Sequence, residues 1–260
     1  MRSRRRRWIL GGLFLSAVLL AGTPGLSRSI RWLGDATGHP APALPAALFD
    51  MVRFDPDLDA TASPATPAGE RVLATLAEVE RRQRRTRYQH HTAVHEGRGQ
   101  YFWDCSGMVS WVLRRAAPRA HAGLGRERPL AMRYARVIAD APTDRPRRGW
   151  QRVRVADVRP GDVFAWETTL ERFRRQATGH VGFVVSAPAR VRDDLWAVRI
   201  VDSTTGPHQD DTRSWGGVGG TGHGTMTFET DASGEVIAYG WWGTESPGYV
   251  QAPVVFGRLH

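Results

Sequence analysis

Tyr101-Phe102-Trp103-Asp104-Cys105-Ser106-Gly107-Met108-Val109 is the stretch on which the reading of this chain turns. An aromatic run ends at Asp104, a residue that caps helices well. Met108, Val109, Val112, Leu113 and Ala116 then recur at i, i+3/i+4 spacing until Pro118. Cys105 therefore falls in the first turn of a helix. A sulfur there lies near unpaired backbone N–H groups and the positive end of the helix dipole, an environment that favours thiolate. Gly107 leaves room for a neighbouring chain or a substrate. The apolar stripe behind it anchors the helix in a core.

Cys105 is also the single cysteine among 260 residues. The N-terminus has the layout of an export signal, with a cationic Arg2 to Arg7 followed by an apolar run from Trp8 to Ala21 and then Gly22-Thr23-Pro24-Gly25. That run is short for a spanning helix, which needs roughly 20 apolar residues. Residues 1–27 are accordingly expected to be a signal peptide or N-terminal anchor, and the protein extracytoplasmic. Exported proteins use structural cysteines in pairs, so an unpaired one is a buried passenger, a site for intermolecular pairing or a reactive thiol, and the helix-start setting of Cys105 favours the last.

The net charge of +10 is weak support for nucleic-acid binding. Lysine is absent, so all 36 basic residues are arginine, and without the five leader arginines the charge falls to about +5. No nucleic-acid module is present. Residues 28–69 are rich in Pro and Ala and read as a linker or arm, with a short helix expected over Ala46 to Val52. Residues 70–260 read as one hydrolase domain. Its helices are expected over Glu70 to Arg85, from Cys105 to Pro118, and over Pro129 to Ala139. Short β-branched or aromatic runs follow at 153–155, 163–166, 180–186, 196–202, 225–229 and 236–242. Helices first and an antiparallel sheet afterwards is an α+β pattern.

A thiolate nucleophile needs an imidazole partner. Of nine histidines, His180 has the best context, opening an apolar strand in Thr178-Gly179-His180-Val181-Gly182. Asp202, at the end of Arg199-Ile200-Val201-Asp202, would return beside it in an antiparallel pair and fix its tautomer. His208 competes for that third position.

These segments together resemble the NlpC-type cell-wall cysteine peptidases. Asp104-Cys105-Ser106-Gly107 with its apolar helix, Val158-Arg159-Pro160-Gly161-Asp162-Val163, and Gly179-His180-Val181-Gly182-Phe183 stand in that family's order, between about Arg87 and Trp242. The resemblance implies a papain-like fold, with the nucleophile helix packed on an antiparallel sheet. It also implies hydrolysis of amide bonds in peptidoglycan stem peptides through an acyl-enzyme, with no metal and no cofactor. Tyr88 would border the oxyanion site, and Asp104 and Ser106 would hold the substrate's amino end. The sequence departs from that pattern in a long insert over 119–150 and in the glycine-rich stretch after Asp202. An acyltransferase or amidase acting on another substrate is therefore an alternative. So is a non-catalytic wall-binding protein that uses Trp215, Trp241 and Trp242. Any membrane contact is expected through the N-terminal segment alone.

Overall fold

The computed structural model of the chain describes residues 62–168 and 178–260. The expected leader and the Ala46 to Val52 helix lie outside them. The first element, α1 (Pro67–Arg82), begins inside the stretch read as a linker. Thr66 caps it by accepting from the Gly69 N–H, and Pro67 sits at the first helical position, where its missing N–H costs nothing. Three short strands follow: β1 (Arg85–Tyr88), β2 (Ala93–His95) and β3 (Gln100–Trp103). They form a small separate sheet in the order β1-β3-β2. The helix opened by Cys105, α2 (Cys105–Ala116), has Asp104 as its N-cap as expected. Pro118 does not merely stop it but starts α3 (Pro118–Gly123), and α4 (Ala131–Ala139) completes the helices.

The remainder is strand: β4 (Trp150–Val153), β5 (Val163–Glu167), β6 (Gly179–Val184), β7 (Ala189–Arg192), β8 (Leu195–Thr204), β9 (Gly220–Thr230), β10 (Val236–Gly240) and β11 (Val250–Leu259). Here the fold departs from the papain-like α+β expectation. The strands do not form an open sheet under a helix. They run β10-β9-β8-β6-β5-β11, and β11 then pairs back with β10, so six antiparallel strands close into a barrel. The four helices are short, and the described chain is mostly β.

The physical cause is β11, which the period-2 reading passed over. Its Val254 to Gly257 pair with β5, while Val250, Gln251 and Val254 pair with β10. A register shift between Val236 and Ala238 bends β10 at this seam, the kind of bulge that lets a twisted sheet roll shut.

Alternation along the strands divides the core in two. Phe164, Trp166, Val184, Val198, Ile200, Met226, Phe228, Val254 and Phe256 fill the barrel. Val163, Ala165, Val181, Phe183 and Val201 point outward and pack with Val72 and Leu76 of α1, Met108, Val109 and Val112 of α2, and Ile138 of α4. The inward set places His180 and Asp202 inside the barrel's mouth. His180 stands opposite Trp166, and Asp202 lies two residues beyond Ile200 on the same face. None of the described helices is long and apolar enough to cross a membrane.

Candidate active site

Helix α2 lies outside the barrel against β6 and β8, and its N-terminus reaches the rim. Asp104 sets that terminus: its Oδ1 accepts from the Gly107 N–H at 2.7 Å and from the Ser106 hydroxyl at 3.0 Å. Asp104 and Ser106 are thus bound to each other in the cap, and Ser106 is buried. The other Asp104 oxygen lies 3.6 Å from His90 Nδ1. The room read beside Gly107 is taken by protein, because a Cβ there would meet Thr92 Oγ1 at 2.2 Å.

Cys105, 6% exposed, lies close enough to the ring of His180, which is 8% exposed, to raise its pKa. The opposite ring nitrogen, His180 Nε2, lies 2.6 Å from Asp202 Oδ2, so the nitrogen toward the sulfur is Nδ1. Gly179 aims the ring. Its φ of +135° suits glycine alone, and a Cβ would come within 1.9 Å of the Trp166 carbonyl oxygen. The rings of Trp166 and Trp241 flank His180 at 5.0 and 5.6 Å between centroids.

The two candidates for the third position both belong to the cluster. Asp202 Oδ2 also meets His208 Nε2 at 2.8 Å. His208 Nδ1 faces the Trp241 carbonyl at 3.0 Å, and a carbonyl only accepts, so that nitrogen carries a hydrogen. Arg213 Nη1 stands 2.7 Å from Asp202 Oδ1, a buried ion pair. Arg213 is itself held by both Asp211 oxygens and the Gly220 carbonyl. The extended stretch after β8 thus supplies His208, Asp211 and Arg213 beneath Asp202. Arg213 and Asp211 were not anticipated. In a sequence where every basic residue is arginine, a buried one carries no distinguishing mark.

The electrostatics follow from this packing. Burial alone would push the fully buried Asp202 carboxyl up. Arg213, His208 and the His180 hydrogen bond reverse this and hold it well below the usual carboxylate range. Burial likewise opposes charge on His180, but the Cys105 sulfur and Asp202 together raise its pKa from 6.5 to about 9. The Tyr88 hydroxyl is raised above its ordinary value, by burial first and then by the acidic groups around it, Cys105, Asp104 and Asp202. Its backbone N–H donates to the Val218 carbonyl. Trp215 is 62% exposed, with its ring 6.2 Å from that of Trp242, while Trp241 is packed on His208 at 4.1 Å.

The class defined by fold and site is a closed antiparallel barrel with a buried Cys–His–Asp constellation at its mouth, its sulfur supplied by an external helix. No family model matches the chain. It is similar to uncharacterized protein R653 of Acanthamoeba polyphaga mimivirus, 25% identical over 226 residues that cover 71% of this chain and 92% of that protein.

Proposed function

We propose that the chain is an exported cysteine hydrolase that cleaves amide bonds, with peptidoglycan stem peptides as its substrate class. The observation that carries the reading is the His180 ring held between the Cys105 thiol and the Asp202 carboxylate, one nitrogen to each. The Cys105 thiolate attacks the amide carbonyl, and imidazolium His180 protonates the leaving amine through Nδ1. Water, deprotonated by neutral His180, then releases the acyl group. Asp202 takes no proton; it fixes the tautomer and favours the imidazolium. Backbone N–H groups at the start of α2 supply oxyanion donors, with Tyr88 at the border of that position. Losing one such donor typically costs about 10²–10³ in rate.

The substrate class rests on the ordered resemblance of the three motifs to the NlpC-type peptidases, and the extracytoplasmic location on the N-terminal export pattern. The test is digestion of purified muropeptides by wild type and Cys105→Ala, with products identified by mass spectrometry. Products that vanish in the variant support the reading. Equal cleavage by both proteins would remove Cys105 from the chemistry, and cleavage by neither would remove the substrate.

A further inference from the structure

We propose that the barrel mouth is also a binding site for one zinc-type divalent cation, held by His180 Nε2, His208 Nε2 and the Asp202 carboxylate. These three residues bring one donor atom each within 4.8 Å of one another, all of them buried. Nitrogen and carboxylate donors of this kind suit zinc or cobalt better than calcium or magnesium. The surrounding contacts also match what a coordinated set requires. Trp241 holds the His208 hydrogen on Nδ1, so in the neutral ring Nε2 carries the lone pair that a metal needs. Asp202 Oδ1 is ion-paired with Arg213 Nη1 at 2.7 Å, which keeps the carboxylate charged, as a metal ligand must be. It faces Arg213, whose charge is offset by the double contact with Asp211.

The donor spacing sets one condition. Asp202 Oδ2 lies 2.6 and 2.8 Å from the two nitrogens, spacings that protons bridge. A tetrahedral zinc sphere separates its ligand atoms by about 3.3 Å. Entry of the ion therefore needs Oδ2 to withdraw by about half an ångström, a small carboxylate rotation, while protons on the Nε2 atoms leave to water. Cys105 addresses the other nitrogen of His180, so its sulfur stays outside the coordination sphere and water takes the fourth position. If the hydrolase reading holds, on which this consequence rests, the bound ion denies His180 its imidazolium form and inhibits turnover reversibly.

Titration of the full-length chain with Co²⁺, followed by visible absorption, tests the site independently of any activity. The expected result is a 1:1 endpoint with ligand-field bands of a four-coordinate ion and no thiolate charge-transfer band. The ion should be displaced by Zn²⁺ and still bound by Cys105→Ala. His208→Gln and Asp202→Asn should each weaken binding by at least about tenfold, with circular dichroism establishing that both variants are folded. No saturable 1:1 binding overturns the proposal, as does binding unchanged in both folded variants. A thiolate band lost in Cys105→Ala would also overturn it, by making the sulfur the ligand. Muropeptide digestion by the metal-free protein reports separately on the hydrolase reading.

Discussion

At the scale of the residue, two imidazoles converge on one carboxylate oxygen, and the buried ion pair behind it keeps that oxygen charged. Asp202→Asn leaves an amide whose NH₂ group cannot accept from His180. We expect a loss in kcat on the order of 10²–10⁴, measured on muropeptides. The same change strands Arg213 beside Asp211 alone, and buried pairs broken on one side typically cost about 3–5 kcal/mol, to be read by chemical denaturation. His208→Gln should lower kcat less, since His208 reaches the sulfur only through Asp202 and His180. A larger loss there would make His208 the principal orienter. The pH dependence follows from His180. Its folded pKa of about 9 exceeds the unfolded value of 6.5, so its contribution to stability is fully present below pH 6.5 and is lost as pH rises through about 9. The rate should fall on the same alkaline limb, where the acid is lost, and a pH–rate profile flat through 9 would assign the proton donor elsewhere. Cys105, His180 and Asp202 were legible because capping, glycine flanks and strand ends are local signals. Arg213 and Asp211 were not, because their meaning depends entirely on what they are packed against.

The elements that hold these groups make their own demands. Asp104→Ala removes the cap of α2 and should cost about 1 kcal/mol in thermal unfolding, together with misplacement of the Cys105 turn. Gly179→Ala is the sharper test of the base: it forces a strained backbone and a collision with Trp166, so activity should collapse while α2 is untouched. Sequence periodicity revealed α2 almost to the residue, since capping and stripe agree there. It placed α1 later than its true start because Pro67 reads as a breaker, although at the first helical position proline is favourable. It missed β1 and β3, whose arginines and aromatics resemble a solvated helix end more than paired strands.

For the whole molecule, the decisive contacts are those that shut the barrel. Strand β11 was invisible to pattern reading because Pro253 and Gly257 interrupt it, and because closure is a relation between distant edges that no window of neighbours contains. Arg258 ties this strand to the Pro-Gly-Asp turn, with contacts of 3.2 and 2.9 Å to Asp162. Arg258→Met should destabilise by about 3–5 kcal/mol, because it removes the ion-pair partner of the buried Asp162 carboxylate and leaves it the Arg159 N–H, and Asp162→Asn in the same background should recover part of the loss. Closure of the barrel also fixes an order of events. Cys105 opens one of the earlier described helices, whereas the wall that steadies His180 and Asp202 is sealed by β11, the last of the described strands. The partner of the thiol is therefore locked into position only when the long-range β5–β11–β10 junction forms.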